Sequence, residues 1–186
     1  YVARRAGRIY ATALVATEGG LDDDISKQIF AGKRRPQGHL LPQTLIVQGG
    51  FSQAGGLRCL RILRIAVDPR VQRGGLGTAL LNSVIKEAGE NGFDYIGASF
   101  SLLPGMLGFW RSSDFDVVLI GMTKNAASAA HSAVVLKGIS AVGKYLHDNA
   151  RRRFSQVLSH WLSDPLSDLD VEIAFELLCQ CKPSSV

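Results

Sequence analysis

The segment Gln72-Arg73-Gly74-Gly75-Leu76-Gly77 joins a buried strand to the strongest helix pattern of the chain. The apolar segment Arg58 to Val67 precedes it and is ended by Asp68-Pro69, since the residue before a proline is pushed out of helical geometry. The segment Gly75 to Glu90 carries apolar residues at helical spacing and is closed by Asn91-Gly92, which predicts a helix. A strand, a glycine turn and a helix in this order indicate an α/β protein.

The same glycine turn is a candidate anion site. Glycines let consecutive backbone N–H groups point to one concave position, and a helix N-terminus favours negative charge. The alternative is a tight strand-to-helix connection without a ligand. Two familiar nucleotide motifs do not fit, since a dinucleotide fingerprint needs three glycines at another spacing and a P-loop needs lysine followed by Ser or Thr. The candidate residues are Gln72, Arg73, Gly74, Gly75, Leu76, Gly77 and Thr78.

Patterns in the rest of the chain predict a central sheet with helices on both sides and a helical C-terminal region. We expect a hairpin from Tyr1 to Thr17. Further strands are predicted at Thr44–Gln48, Arg58–Val67, Tyr95–Phe100, Val117–Met122 and Ser132–Leu136. Further helices are predicted at Asp22–Ala31, Pro104–Ser112, Ser140–Leu162 and Asp168–Cys181. The first residue is Tyr1 rather than Met, so we expect the chain to begin inside a longer protein.

The turn resembles the acetyl-CoA loop of the GNAT superfamily. That loop begins with Gln or Arg, has Gly three positions later, and has Gly or Ala two positions after that Gly. Gln72, Gly75 and Gly77 fill those positions. The superfamily also tends to have an aromatic pair on a later helix and a Gly-Phe that ends this helix. In this sequence Phe109-Trp110 matches the pair, and Asp114-Phe115 stands in the place of Gly-Phe. The resemblance implies acetyl-CoA as cofactor and an α/β (α+β) GNAT fold, with a central mixed, mostly antiparallel sheet flanked by helices.

Four blocks give a narrower resemblance, to the bacterial tRNA(Met) cytidine acetyltransferase family. They are Arg34 to Gln43, Arg64 to Pro69, Gly97 to Phe100 and His131 to Ala133. The resemblance implies acetyl transfer to the exocyclic amine of the wobble cytidine of elongator tRNA(Met), with a helicase-like ATPase module upstream in the same polypeptide. It also divides the chain into a GNAT domain, 1–139, and a helical tail, 140–186.

By the same resemblance, the backbone of Ile65, Ala66 and Val67 lines the pantetheine and thioester, and residues 72–78 hold the pyrophosphate. Acetyl transfer needs a donor for the developing oxyanion, and a backbone N–H around Val67 is a candidate. The strand Arg58 to Val67 contains no carboxylate to act as a base, which favours an amine that is neutral at pH 7. His39 is the candidate catalytic residue, because it lies in an irregular loop between Gly38 and the acceptor-side strand and histidine is a common acid or base in catalysis.

Several conspicuous residues carry a structural interpretation instead. Trp110 occupies the place where related enzymes have a tyrosine acid, and we expect it to pack in the core. His131, at a strand start, is expected to be structural, and Cys59 is expected to be a small buried hydrophobe. Gly138 to Lys144 has P-loop spacing, but Tyr145 stands where Ser or Thr would bind magnesium, so nucleotide hydrolysis is not expected there.

The formal net charge of +5 is moderate, but the positive residues are clustered. Clusters of this kind fit a polyanion such as tRNA, and the alternative is a solvated surface. The RNA-binding candidates are Lys33, Arg34, Arg35, Lys144, Arg151, Arg152 and Arg153.

Composition narrows the location and the class of protein. No signal peptide or apolar run of membrane-spanning length is present, so we expect a cytoplasmic protein. The 3 cysteines give neither a disulfide framework nor the spacing of a metal site. Two alternatives stay open: a GNAT enzyme that acetylates a protein or small-molecule amine, and a non-catalytic module that binds CoA or RNA.

Overall fold

The computed structural model describes residues 1–181, which form six strands and six α-helices. The strands are β1 (Val2–Arg5), β2 (Arg8–Gly19), β3 (Arg58–Val67), β4 (Tyr95–Ser101), β5 (Asp116–Lys124) and β6 (His131–Gly138). The helices are α1 (Asp23–Phe30), α2 (Leu40–Val47), α3 (Leu76–Glu90), α4 (Met106–Arg111), α5 (Ala141–Ser163) and α6 (Val171–Cys181). Two 3-10 turns, Ser52–Gly55 and Pro69–Val71, flank β3. The last five residues of the predicted tail, 182–186, lie outside the described part.

The six strands form one sheet in the order β1-β2-β3-β4-β6-β5. The pair β3–β4 is parallel, and the other four pairs are antiparallel. The parallel pair is joined through α3, as a parallel connection requires a crossover. The predicted α+β class, with a mixed and mostly antiparallel sheet between helices, is therefore confirmed.

Helices cover both faces of the sheet because the strands bury side chains on both sides. In β6, Ala133 and Val135 point to the face that packs against α3, α4 and α6, whereas Val134 and Leu136 point to the face that packs against α2 and the first half of α5. This alternation follows the two-residue period of a strand. We call these the α3 face and the α2 face.

A β-bulge in β3 opens the sheet near its centre. Leu14 and Val15 of β2 are paired with Arg64 and Ile62, so Leu63 is the extra residue of the bulge. On its other side, β3 pairs with β4 only as far as Ile62. From Leu63 to Val67 the two strands therefore diverge, and the edge of β3 that faces β4 lies outside that ladder.

One predicted strand is wrong. Thr44–Gln48 belongs to α2, which begins at Leu40 and buries Leu41, Leu45 and Ile46 at helical spacing. Pro42 lies in the first turn of this helix, where its missing N–H costs nothing. A short apolar run with β-branched residues does not by itself distinguish a strand from a buried helix. The other predicted strands and helices are present, with ends shifted by a few residues.

The C-terminal helices pack on the sheet rather than projecting from it. Phe154 and Leu158 of α5, together with Ile173 and Leu177 of α6, join the core of the α3 face. The side-chain amide of Gln180 closes this contact, since it accepts from the Val117 N–H at 3.0 Å and donates to the Val117 carbonyl at 2.9 Å. Within residues 1–181, none of the helices combines the length and the apolar character needed to cross a membrane.

Candidate functional site

The glycine turn folds into a concave loop at the C-terminal end of β3. Asp68 begins it, and the Asp68 side chain accepts a hydrogen bond from the Arg70 N–H at 3.0 Å. Arg73 and Gly75 both have left-handed backbones, with φ of 62° and 79°. A non-glycine residue in this region is uncommon and is found mainly where the surroundings enforce it. The turn is therefore a fixed feature of the backbone between β3 and α3.

The N-terminus of α3 presents free backbone donors at this turn. Gly75 is the N-cap residue, no side chain caps the helix, and its first turn contains no acidic residue. The N–H groups of Leu76, Gly77 and Thr78 therefore point out of the helix without an intrahelical acceptor. Such donors, with the helix dipole behind them, favour an anion.

Gly77 allows α3 to approach the sheet and α4 closely. A Cβ added there would lie 3.2 Å from Val67 Cγ2 and 3.3 Å from Phe109 Cε2, which is tighter than ordinary van der Waals contact. The Gln72 side chain also serves the turn, since its amide donates to the Val67 carbonyl at 3.0 Å. Gln72 thus holds the loop against the end of β3.

A cavity of about 420 Å³ opens between β3, the turn and α4. Eight of the ten residues predicted to bind the cofactor line it, and Ala66 and Gly74 do not. The eight are Ile65, Val67, Gln72, Arg73, Gly75, Leu76, Gly77 and Thr78. The cavity follows the edge of β3 beyond the bulge, where the backbone is free of β4. It therefore combines an apolar trough with a terminus rich in N–H donors.

Four lining residues were not among the predicted site residues: Val71, Gly105, Met106 and Phe109. Three of them belong to the start of α4, which forms the wall opposite α3. The available signal was the Phe109-Trp110 pair, in which Phe109 faces the cavity while Trp110 is buried. Trp110 is 3% exposed and packs against Phe100, Phe109 and Phe115, with ring centroids 5.1 to 5.5 Å apart.

His39 lies away from this cavity. Its Nδ1 accepts a hydrogen bond from the Gly19 N–H at 2.9 Å. Gly19 pairs with Arg58, which lies nine residues of strand, or about 30 Å, from Val67 and five residues, or about 17 Å, from the bulge at Leu63. His39 is also the N-cap residue of α2, with a left-handed φ of 51°. These contacts favour a role in positioning the start of α2, and the cavity lining does not include His39.

A buried ion pair lies beside His39 and was not predicted from the sequence. Glu18 is 5% exposed, accepts from Arg61 Nη1 at 3.1 Å and accepts from the Leu41 N–H at 2.9 Å. The carboxylate thus satisfies one of the free N–H groups in the first turn of α2. Its position on β2 links the helix to the sheet.

The residues given structural interpretations are buried. His131 is 3% exposed, and its ring nitrogens lie 2.8 Å from the Gly121 carbonyl and 3.0 Å from Asp168 Oδ1. Cys59 is fully buried, and burial raises the pKa of its thiol well above the usual value. Among residues 1–181, no three His, Cys, Asp or Glu side chains cluster as a metal site requires.

The P-loop-like segment packs against β4 instead of forming a phosphate cradle. A Cβ on Gly138 would lie 2.5 Å from Lys144 Cα, and one on Gly143 would lie 1.6 Å from the Asp94 carbonyl oxygen. The N-terminus of α5 is capped, because Ser140 Oγ accepts from the Gly143 N–H at 3.1 Å. Both glycines therefore permit close contact between α5 and the sheet.

The cationic candidates for RNA binding lie on the surface of the α2 side. Lys33, Arg34 and Arg35 are exposed in the loop before α2. On α5, Lys144, Arg152 and Arg153 are exposed, whereas Arg151 is half-buried with Nε 3.7 Å from Asp116 Oδ2. The structure thus separates these residues from the glycine turn, which opens on the α3 side.

Comparison with known families agrees with this geometry. The family model described as GNAT acetyltransferase 2 matches residues 4–88 and 80–140, which include the bulged strand, the turn and the whole cavity lining. The chain belongs to this GNAT acetyltransferase family.

Relatives and solved structures extend the comparison. The tRNA(Met) cytidine acetyltransferase of Nitrosococcus halophilus is 45% identical over 184 residues, covering 99% of this chain and 25% of the relative. That of Haemophilus ducreyi is 38% identical over 156 residues, covering 82% of this chain and 26% of the relative. The chain thus spans about a quarter of the length of these relatives. The polyamine N-acetyltransferase of Drosophila melanogaster, 13% identical, aligns with a TM-score of 0.50 over 74% of this chain and 73% of its own, which shows the shared fold.

Proposed function

We propose that this GNAT domain transfers an acetyl group from acetyl-CoA to the exocyclic amine of a tRNA cytidine. The observation that carries the cofactor assignment is the junction of the uncapped α3 N-terminus with the unpaired edge of β3. The acceptor assignment rests on relatives named tRNA(Met) cytidine acetyltransferase that are 45% and 38% identical to this chain. The wobble cytidine of elongator tRNA(Met) is the specific acceptor that we propose.

The residues present fit acetyl-CoA. The N–H groups of Leu76, Gly77 and Thr78 would bind the pyrophosphate, and Gly75 leaves room for it beside the main chain, since a Cβ there would meet no atom within 4 Å. The edge of β3 at Ile65, Ala66 and Val67 would bind the amide groups of the pantetheine arm. When bound, acetyl-CoA supplies an acetyl group activated as a thioester.

Positive charge near the turn supports a polyphosphate ligand. The Arg73 side chain carries a positive charge and lines the cavity itself. Arg4 and Arg5, from the β1–β2 hairpin, line a neighbouring cavity of about 340 Å³ that shares Val71 and Leu76 with the first. Both hairpin arginines are exposed and are long enough to turn toward a phosphate.

The geometry of β3 suggests where the acetyl group would be held. A ligand anchored at the turn and extended along the strand reaches the bulge at Leu63, four residues and about 13 Å from Val67. A backbone N–H near the bulge at Leu63, rather than at Val67, is the better candidate to donate a hydrogen bond to the thioester oxygen, which gains negative charge during transfer. Val67 itself lies beside the pyrophosphate end.

The acceptor amine must arrive at the bulge in its uncharged form, because only the neutral amine has a free lone pair. A cytosine amine is neutral at pH 7, whereas a lysine amine has a pKa of about 10.4 and needs a base first. No Asp or Glu lies within β3. The site is therefore better suited to a nucleobase amine than to an alkylammonium group, and the proton released on transfer can leave through water.

RNA binding is the second part of the proposal. The loop cations Lys33, Arg34 and Arg35 and the α5 cations Lys144, Arg151, Arg152 and Arg153 would contact phosphates. Phosphate contacts add a salt dependence to affinity that grows with their number. Reversal of the exposed charges should therefore lower both the tRNA affinity and the slope of its salt dependence.

The test is an acetylation assay on tRNA(Met) transcripts with acetyl-CoA, with mass spectrometry of the digested RNA. We expect acetylcytidine at the wobble position, and none when that cytidine is replaced by uridine. A panel of peptides and polyamines is assayed in parallel. Acetylation of that panel with no product on RNA would refute the acceptor assignment but keep the cofactor assignment, whereas binding of acetyl-CoA without turnover on any acceptor would indicate a non-catalytic module.

A further inference from the structure

The outward side of α5 carries an aromatic residue among polar and cationic side chains. Tyr145 is 68% exposed, although most tyrosines bury much of their ring. Asn149, Arg152 and Gln156 follow it at spacings of four, three and four residues, so the four side chains share one side of the helix. We call this set the α5 stripe. Tyr145, Arg152 and Gln156 are exposed and Asn149 is partly exposed, whereas Leu146 and Ala150 are buried against the rest of the domain.

The charge of this surface fits an anionic partner. Lys144, Arg152 and Arg153 form no ion pair within residues 1–181. Asp148 is the one carboxylate within α5, and it lies 3.8 Å from His147 Nδ1. Arg152 Nη1 donates to Asn149 Oδ1 at 3.2 Å, which holds the guanidinium over the stripe. Two helical turns, or about 10 Å, separate Tyr145 from Arg152.

The combination of an exposed ring and free cations distinguishes single-stranded RNA from duplex RNA. In a duplex the bases are stacked on each other, so a protein contacts mainly phosphates and 2′-hydroxyls. In a single strand an unstacked base can lie on an aromatic ring while a neighbouring phosphate contacts an arginine. Phosphate contacts alone would not require the exposed ring of Tyr145 beside the cations.

We propose that the α5 stripe binds single-stranded RNA, with Tyr145 as a stacking platform for one base and Arg152 as the contact for a neighbouring phosphate. The proposal rests on the proposed function in so far as RNA is the acceptor. It adds a specific residue and a preference for an unpaired segment, as in a tRNA loop. Stacking depends on the aromatic ring and not on the hydroxyl, so a phenylalanine at position 145 should bind RNA as well as the tyrosine does.

The test measures binding of the whole chain to a fluorescently labelled single-stranded ribonucleotide decamer and to a duplex of the same sequence. Tyr145→Ala should weaken single-strand binding by about 5-fold to 160-fold, which corresponds to about 1–3 kcal/mol for the loss of one stacked base. Tyr145→Phe should bind like the parent. The affinity for the duplex should change less than 3-fold for either variant, because the phosphate contacts are kept. A 3-fold change in Kd corresponds to about 0.6 kcal/mol.

The matched control is Phe175→Ala on α6, because Phe175 is likewise 65% exposed and α6 itself contains no Lys or Arg. It should leave both RNA affinities unchanged. The proposal is overturned if Tyr145→Ala binds the decamer like the parent, if single strand and duplex lose affinity equally, or if the parent binds neither RNA. If RNA binding is kept but association of the chain with another protein is lost, the stripe is a protein interface and the proposal fails. An acetyl-CoA titration on Tyr145→Ala, expected to match the parent, separates this outcome from failure of the cofactor site.

Discussion

Substitution of Gly143 by alanine tests the interpretation that the P-loop-like segment, residues 138–144, packs against the sheet. The new Cβ would lie 1.6 Å from the Asp94 carbonyl oxygen, so α5 must move by roughly 2 Å to restore an ordinary contact. The same carbonyl accepts from the Ile139 N–H at 2.8 Å and from the Ser140 N–H at 3.2 Å, and both bonds would be strained. The movement would also pull the Ser140 hydroxyl from Asp94 Oδ1, to which it donates at 2.7 Å.

The expected magnitude follows from these contacts. Overpacking costs about 1–3 kcal/mol, and one or two weakened hydrogen bonds add about 1 kcal/mol each. Alanine regains about 1 kcal/mol through its higher helix propensity. The free energy of unfolding should therefore fall by about 3 kcal/mol, measured by urea denaturation monitored by circular dichroism.

Gly89→Ala in α3 is the control, because its Cβ would meet only Ile139 Cγ2 at 3.7 Å. This variant should be about 0.5–1 kcal/mol more stable than the parent. The account of Gly143 as a packing residue is refuted if Gly143→Ala lies within about 0.5 kcal/mol of the parent, the usual range for surface changes.

Three further predictions concern single residues. His39→Ala should lower the free energy of unfolding by about 1 kcal/mol, because the Gly19 N–H loses its acceptor; in a titration acetyl-CoA should bind it like the parent, and a large loss of affinity would contradict its distance from the cavity. Hydrogen bonds from Lys124 and then His131 lower the pKa of Asp168, so its contribution to stability is present above the unfolded-state pKa of about 4 and is lost as the pH falls through the lower folded-state value. The difference in urea midpoint between parent and Asp168→Asn should thus be larger at pH 6 than at pH 3, and an equal difference at both would exclude this linkage. The raised pKa and burial of Cys59 should keep it unmodified by iodoacetamide at pH 8 until urea unfolds the chain, as followed by peptide mass spectrometry; rapid labelling in the native protein would show that the thiol is accessible.

The sequence predicts the local elements around the turn because the signals there agree. An apolar strand, a proline stop, glycines and a helical period all point to the same strand–turn–helix unit. Eight of the ten predicted cofactor residues line one cavity for the same reason, since they are close in the chain. Local patterns thus sufficed wherever neighbours in sequence are neighbours in space.

The sequence did not predict the features that depend on contacts between distant parts of the chain. The helix α2 was predicted as a strand because its start depends on contacts with β2: the Glu18 carboxylate accepts from the Leu41 N–H, and the N-cap residue His39 accepts from the Gly19 N–H. The bulge at Leu63 depends on the register with β2, and no residue type in β3 specifies it. The wall formed by Gly105, Met106 and Phe109 comes from a separate helix that reaches the cavity only through the tertiary fold.

Binding of acetyl-CoA at the glycine turn underlies the proposed function, and isothermal titration of acetyl-CoA into the chain measures this binding. Gly75→Ala keeps the open space beside the turn and adds only the left-handed strain, about 1–2 kcal/mol, whereas Gly75→Glu adds a carboxylate at the helix N-terminus. The account predicts a Kd on the order of 1 μM for the parent, weaker binding by Gly75→Ala and no detectable binding by Gly75→Glu. Absence of binding by the folded parent, or equal affinity in parent and Gly75→Glu, would contradict it.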